Sequence, residues 1–181
     1  MTAPVIHICG WPGSGKATIG RILAHQLGGR LIENHLMIDP ASAVFDRGDP
    51  RHAALRREVR TAIFRATCAL PADIPLILTD ALASTDHDLF TPTQKLAQAR
   101  KAPMICVTLN IQPDENIRRL QSDDRKSRAK LTDPSVLETL RARHDLLSPN
   151  DALQVDVTAL SAQAAATEIQ IGLQQRTEAA Q

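Results

Sequence analysis

The chain has 181 residues, a formal net charge of +1, and an aromatic content of only 2%. This length suits one domain with its own hydrophobic core. The near-neutral charge excludes a general attraction to nucleic acid or to an anionic membrane, and the scarcity of aromatic residues argues against a surface that stacks single-stranded bases.

The cysteines and the apolar segments indicate a cellular location. Cys9, Cys68 and Cys106 are widely spaced and match no metal-binding pattern, so we expect free thiols in a reducing compartment. We find no signal-peptide pattern, and no apolar run approaches the roughly 20 residues that a membrane helix needs. We therefore expect a cytoplasmic protein that does not bind a membrane.

Apolar segments along the chain predict a sheet of five strands. They cover residues 5–9, 30–33, 76–79, 104–111 and 152–157. Several are continuous apolar runs, which are typical of parallel strands covered on both faces.

Helical patterns lie between these strands. They cover residues 16–27, 53–69, 91–100, 113–121, 135–147 and 161–175. Strands that alternate with helices predict an α/β fold with a parallel sheet. We find no linker, so we expect one domain over residues 1–175 and a frayed tail over 176–181.

The segment HICGWPGSGKATIG, residues 7–20, carries the strongest motif. Residues 10–16 satisfy G-x-x-x-x-G-K between a predicted strand and a predicted helix, which is the context of a phosphate-binding loop. The glycines let main-chain N–H groups approach phosphate oxygens, and the start of the helix adds partial positive charge. The predicted nucleotide-binding residues here are Gly10, Pro12, Gly13, Ser14, Gly15, Lys16, Ala17 and Thr18.

With this loop and the order of the elements after it, the chain resembles small P-loop kinases. These are the shikimate kinase, gluconate kinase and nucleoside monophosphate kinase group, and among them uncharacterised AAA-type kinase-like proteins. The resemblance covers nearly the whole chain. It implies a P-loop NTPase fold with a lid. The implied activity is transfer of the γ-phosphate of ATP to a hydroxyl of a small molecule: a metabolite, a nucleotide or an antibiotic.

The chain departs from this group at the residue after the lysine. The group has a serine or threonine there, whose hydroxyl binds Mg²⁺, and this chain has Ala17. Thr18 is the next hydroxyl, but one residue turns a helical side chain by about 100°. We expect Asp80, at the end of LILTD, and Glu33, at the end of the second strand, to bind Mg²⁺ with water. Asp80 could instead be a helix cap.

The resemblance also predicts an acceptor side in the segment LIENHLMIDP. The group has two carboxylates one residue apart here, and Glu33 and His35 take these positions. If the chain stays extended, both side chains lie on the same side. Histidine changes protonation near neutral pH, so His35 is the predicted base, with Asp39 in reserve and Asn34 as a substrate contact. His35 could equally be a structural loop residue.

An arginine-rich helix lies within the region expected to cover the acceptor, residues 36–70. Arg56 and Arg60 are four residues apart and share a helix face, with Arg57 beside them. In the group, an arginine from this region grips an acidic acceptor, so these three are predicted substrate residues. The alternative is a solvated charged face that pairs with Glu58.

By the same resemblance, residues 121–132 form a lid. Arg125 and Arg128 are its predicted catalytic residues, with Lys130 as a third candidate. Arg119 is expected near the adenine, and Thr158 in the turn 156–160 is expected near the nucleotide base.

Three functions stay open from the sequence. The first is an ATP- and Mg²⁺-dependent small-molecule kinase. The second is a nucleotide-binding module with weak or no catalysis, which Ala17 favours. The third is a kinase for a nucleic-acid end, which the near-neutral charge makes the weakest of the three. The sequence also leaves a homodimer open.

Overall fold

The computed structural model describes residues 2–122 and 131–179. The strands of the sheet are β1 (Val5–Gly10), β2 (Arg30–Glu33), β3 (Leu76–Asp80), β4 (Met104–Asn110) and β5 (Leu153–Asp156). The helices in these ranges are α1 (Lys16–Leu27), α2 (His35–Ser42), α3 (Pro50–Thr67), α4 (His87–Ala99), α5 (Pro113–Leu120), α6 (Pro134–Arg143) and α7 (Ala162–Ala179). None of these helices combines the length and apolar character needed to cross a membrane.

The sheet is parallel throughout, with strand order β2-β3-β1-β4-β5. The predicted α/β fold with a five-stranded parallel sheet is therefore confirmed. Strand β1 lies at the centre, with β3 and β2 on one side of it and β4 and β5 on the other, so the direction of the strand order changes at β1. In open parallel sheets, ligands bind at the carboxyl edge at such a switch point. The loop after β1 leaves the sheet there.

Alternate residues of each strand pack against different helices, as the pleat of a strand requires. Ile6 lies in an apolar cluster with Ile19 of α1 and Ile169 of α7. Val5 lies in a second cluster with Phe64 of α3, and α4 contributes to the same cluster. The sheet therefore has helices on both faces, and its carboxyl edge is left for a site.

Local signals explain where several helices begin and end. Gly15 and Gly28 flank α1 with φ values of 91° and 64°, a left-handed conformation that glycine adopts without strain. Helices α3 and α6 each begin after an aspartate and at a proline. Asp49 and Asp133 accept hydrogen bonds from main-chain N–H groups at the start of these helices.

Several helices differ from the prediction, and α3 covers 50–67 and not 53–69. The structure has a helix, α2, that was not among the predicted elements. The chain turns helical at Asn34, where an extended segment was expected. Helix α4 begins at residue 87 and not at 91. Helix α6 ends at 143 and not at 147, because the N–H of Leu147 donates to the carbonyl of Leu82. Helix α7 continues to Ala179, so residues 176–179 are helical where a frayed tail was expected.

The structure describes the three cysteines but not the candidate residues of the lid. All three cysteines are free; Cys9 and Cys106 are buried, and Cys68 is exposed. Burial raises the pKa of the Cys106 thiol to about 11. Arg125, Arg128 and Lys130 of the predicted lid lie outside the described residues.

Candidate functional site

The loop between β1 and α1 folds closely around its glycines. Gly13 has a φ of 92°, and a Cβ at this position would stand 2.7 Å from Nδ2 of Asn116. A Cβ at Gly10 would stand 2.6 Å from Oγ of Ser14. A side chain at either position would displace its neighbour, and the positive φ of Gly13 favours glycine there as well. The N–H groups of the first turn of α1 have no partner within the helix, so the loop fits an anion such as phosphate.

A hydrogen-bond network that was not predicted from the sequence connects the loop to helices α5 and α6. Asn116 of α5 is fully buried, and its Nδ2 donates a 2.8 Å hydrogen bond to the carbonyl of Pro12. Arg141 of α6 donates to Oδ1 of Asn116 and to the carbonyl of Ile111, at 3.1 and 2.9 Å. Its guanidinium also lies 5.2 Å from the centre of the Trp11 ring. Helices α5 and α6 thus fix the outer side of the loop.

A cavity of about 590 Å³ opens beside the loop. Nζ of Lys16 donates a 3.1 Å hydrogen bond to the carbonyl of Trp11. The described walls bring together many of the predicted site residues: Pro12, Gly13, Gly15, Lys16, Ala17, Thr18, Glu33, Asn34, His35, Arg56 and Arg119. Gly10, Ser14, Asp39, Arg57, Arg60, Asp80 and Thr158 are not among the described wall residues.

The charge of the cavity favours an anionic ligand. Among the described wall residues, the cations are Lys16, Arg47, Arg56 and Arg119, and the carboxylates are Glu33 and Asp86. Four positive groups against two negative ones leave an excess of positive charge beside the loop. A polyphosphate would meet an attractive field there.

The acceptor side differs from the extended geometry that was expected. Asn34 has φ −56° and ψ −31°, so the chain turns helical directly after Glu33. Glu33 and His35 are therefore not related by strand alternation, although both line the cavity. Nδ1 of His35 lies 2.8 Å from Oδ1 of Asp39, one helical turn later. Asp39 is 65% exposed and acts on His35, so it is not placed as a base in its own right.

Asp80 lies beneath the cavity in a cluster of basic side chains. It is 2% exposed, and its Oδ1 is 3.4 Å from Nη2 of Arg60. Its Oδ2 is 3.7 Å from Nε2 of His7, which is 1% exposed, and Nη2 of Arg56 approaches Oδ1 to 4.0 Å. Nη1 of Arg60 also donates to the carbonyl of Leu89 at 2.5 Å. The guanidinium of Arg60 therefore contacts Asp80 and Leu89, and Arg60 is not among the described residues of the cavity wall.

The three predicted substrate arginines of α3 separate in the structure. Arg56 lines the cavity, donates a 2.9 Å hydrogen bond to Oδ1 of Asn34, and has a buried Nε without a partner among the described residues. Burial lowers the pKa of this guanidinium, and the charge of Asp80 acts against that shift. Arg57 lies on the outer face of α3 beside Glu58, because one residue turns the helix by about 100°. We therefore leave Arg57 out of the acceptor site.

Arg119 joins the cavity to the turn that was expected near the base. Its Nη2 donates to the carbonyls of Val157 and Thr158, at 2.8 and 3.1 Å. Its Nε donates to Glu115, and hydrogen bonds from Arg118 and Arg119 hold the pKa of Glu115 at about 2. Arg119 therefore orders this turn while one side of it lines the cavity.

The side chains predicted to hold Mg²⁺ do not fit a directly bound ion. Asp80 is buried against arginines, Glu33 forms an ion pair with Arg21, and position 17 carries a methyl group. Within the described ranges, no three His, Cys, Asp or Glu side chains are grouped as metal ligands. The loop fits phosphate, whereas these carboxylates are already neutralised by arginine.

Several kinases of known structure share the fold of this chain. A gluconokinase from Sinorhizobium meliloti 1021 has 19% identity and a TM-score of 0.66, over 98% of this chain and 95% of that chain. The shikimate kinase of Acinetobacter baumannii, solved with shikimate, has 20% identity and a TM-score of 0.63, over 97% and 95%. The APS kinase of Mycobacterium tuberculosis, solved with AMPPNP and APS, has 15% identity and a TM-score of 0.62, over 96% and 98%.

These three likenesses concern the fold, which is that of the small P-loop kinases. No curated protein sequence matches the chain. The family model described as AAA domain matches residues 5–147, which run from β1 to beyond the end of α6. The chain therefore belongs to the AAA domain family.

Proposed function

We propose that the protein is an ATP-dependent phosphotransferase that moves the γ-phosphate to a hydroxyl group of a small molecule. One observation carries the proposal: a single cavity is lined by Lys16 and Thr18 of the loop side and by His35 and Arg56 of the opposite side. A donor phosphate and an acceptor hydroxyl bound to these two sides would meet in the same space. Enzymes catalyse phosphoryl transfer largely by positioning the donor phosphate and the acceptor hydroxyl in this way.

The loop side would hold the phosphates of ATP. The ammonium group of Lys16 now donates to the carbonyl of Trp11, and it would exchange this neutral acceptor for a charged phosphate oxygen. Main-chain N–H groups at the start of α1 would bind the same phosphates. Arg119 and the turn that it orders would lie near the base. Mg²⁺ would accompany the nucleotide.

His35 would orient the acceptor hydroxyl or take its proton. When Nδ1–H donates to Asp39, Nε2 is left as an acceptor for the hydroxyl. Asp39 is then a positioning residue, which fixes the tautomer and the orientation of the ring.

Arg56 would bind an acidic group of the acceptor. Its buried Nε lacks a partner among the described residues, and an unpaired buried donor is costly. A carboxylate or phosphate group would satisfy it with a charge-assisted hydrogen bond. The similar structures include kinases solved with shikimate and with APS, which supports a small acidic acceptor. Cytoplasmic location and a homodimer stay predictions.

The first test is calorimetric titration of ATP into the protein and into Lys16→Ala. We expect Lys16→Ala to weaken ATP binding by about tenfold or more, since it removes a charge-assisted contact. Lys95→Ala is the matched control, because Lys95 is exposed on α4 away from the cavity. Equal loss in both variants, or no ATP binding by the wild type, would refute the proposal.

The second test is an acceptor screen that follows acceptor-dependent ADP release. The panel pairs each hydroxyl compound that carries a carboxylate or phosphate with a neutral analogue. We expect turnover with acidic compounds, and about a hundredfold or greater loss of kcat in His35→Asn. Arg56→Ala should instead raise the KM for the acceptor and leave the KM for ATP unchanged.

A nucleotide-binding module is the second candidate, and Ala17 is the observation that favours it. This reading expects ATP binding that depends on Lys16, with no ADP release for any member of the panel. The two tests together separate it from the kinase.

A further inference from the structure

We infer that Asp80 anchors the arginines of the acceptor side and does not bind the metal, so that Mg²⁺ is held by the phosphates of ATP and by water. This inference rests on the proposed binding of ATP. It assigns Asp80 a positioning role for Arg56, in place of the metal-binding role that its place after β3 suggests.

The alternation of β3 directs Asp80 away from the loop. A Cβ on Gly20 of α1 would stand 3.0 Å from Thr79 Cγ2 and 3.5 Å from Ile77 Cγ2, so these two residues face α1. Leu78 belongs to the apolar cluster of α3 and α4 on the other face. Asp80 shares the face of Leu78, because side chains two apart along a strand point the same way. Thr79, and not Asp80, lines the cavity.

The surroundings of Asp80 also satisfy its charge. Arg60 is 4% exposed and lies 3.4 Å from Asp80, so its buried charge depends on this carboxylate. Arg56 approaches the same oxygen to 4.0 Å and reaches Asn34 with the same nitrogen. Removing one member of a buried ion pair leaves the other uncompensated, which is strongly unfavourable. Drawing Asp80 to a metal would have this cost.

The other candidate donors near the loop are few. Ala17 offers no oxygen, and Glu33 is paired with Arg21. Thr18 lines the cavity one residue further along α1. Mg²⁺ keeps several water ligands readily, so phosphates and water can complete its shell. Arg47 and Arg56 add the positive charge that a protein-bound metal would supply.

The test compares the affinity for ATP in excess Mg²⁺ with the affinity in excess EDTA, as a ratio for each variant. A ratio within one variant is insensitive to a general loss of stability. We expect a ratio within about threefold of one for the wild type, and the same for Asp80→Asn, Glu33→Gln and Thr18→Val. Ala17→Ser should gain a ligand and shift the ratio towards Mg²⁺ by about fivefold or more.

The anchoring role has a spectroscopic test that needs no ligand. The NMR signals of the Nε–H groups of Arg56 and Arg60 would be assigned by their loss in Arg56→Lys and Arg60→Lys. Asp80→Asn should speed the exchange of both Nε–H groups with water by about tenfold or more. Main-chain amides of α1, on the other face of the sheet, should keep their exchange rates.

The outcomes are distinct. A wild-type ratio above about tenfold that Asp80→Asn or Glu33→Gln abolishes would overturn the inference and leave the proposed function standing. Unchanged exchange of both arginines in Asp80→Asn would overturn the anchoring role. Failure of the wild type to bind ATP under either condition would overturn the proposed function, and the inference with it.

Discussion

The side-chain amide of Asn116 donates a 2.8 Å hydrogen bond to the carbonyl of Pro12, and so connects α5 to the phosphate-binding loop across more than a hundred residues of chain. The oxygen of the same amide accepts two hydrogen bonds from Arg141. Both ends of a fully buried side chain are thus used, and the loop depends on two helices that come after β4.

We expect Asn116→Ala to weaken ATP binding by about tenfold and to lower the free energy of unfolding by about 1–3 kcal/mol. The carbonyl of Pro12 and the guanidinium of Arg141 would both lose a partner. Titration with ATP and urea denaturation measure the two effects. Asn110→Ala is the control, because the side-chain amide of Asn110 donates an exposed hydrogen bond to Gln154 and does not contact the loop. Wild-type ATP affinity in Asn116→Ala would contradict this role.

Gly13→Ala should disrupt the loop more than any other single methyl group. Gly13 has a φ of 92°, and the added Cβ would stand 2.7 Å from Nδ2 of Asn116. The backbone strain alone is about 1 kcal/mol or more. We expect ATP binding to fall below detection. Gly48→Ala should bind ATP as the wild type does, because no atom lies within 4 Å of a Cβ at Gly48. Similar affinities in both variants would be evidence against the observed loop geometry.

Arg100 holds the segment between α3 and β3. Its guanidinium donates to four carbonyls of residues 67–74, at 2.7 to 3.3 Å, while the side chain is 8% exposed. We expect Arg100→Ala to lower the free energy of unfolding by about 3 kcal/mol, since four carbonyls lose a charged donor at once. Arg65→Ala, on the exposed face of α3, should change it by less than about 0.5 kcal/mol. Urea denaturation of both variants decides the matter.

Glu115 should contribute a pH-dependent part of the stability. Hydrogen bonds from Arg118 and Arg119 lower its pKa from 4.5 to about 2. A carboxyl group with a lowered folded-state pKa stabilises the fold above its ordinary pKa, and this stabilisation is lost as the pH falls towards the folded-state value.

The melting temperature of the wild type should therefore exceed that of Glu115→Gln above about pH 5, and the difference should vanish as the pH falls to about 2. Glu168→Gln, at an exposed position of α7, is the control and should show a constant difference. A difference between wild type and Glu115→Gln that does not change with pH would show that the arginines act on Glu115 without stabilising the fold.

The strands of the sheet and the glycine loop could be predicted from the sequence, because both depend on residues that are close together in the chain. Continuous apolar runs such as LILTD mark buried parallel strands, and Gly13 and Gly15 before Lys16 mark a loop whose backbone only glycine tolerates. These signals placed the sheet and the phosphate side. They are local, and they need no knowledge of the rest of the chain.

The acceptor side was harder to predict because it depends on one backbone choice and on distant contacts. At Asn34 the chain turns helical, and His35 then meets Asp39 and not Glu33. His7 is a polar residue inside an apolar strand, which was a usable signal. Its partner Asp80 and the buried Arg60, however, become neighbours only when β1, β3 and α3 pack together.

Because the chain turns helical at Asn34, the wall formed by α2 can change its position without a change in the glycine loop on the opposite side of the cavity. One residue inserted after Asn34 would rotate α2 by about 100° and carry His35 and Ile38 off the wall. The β-sheet register and the glycine loop would keep their places, since neither passes through this junction. Under the proposed function, small insertions at this one position would change the acceptor side of the cavity and leave the phosphate-binding loop unaltered.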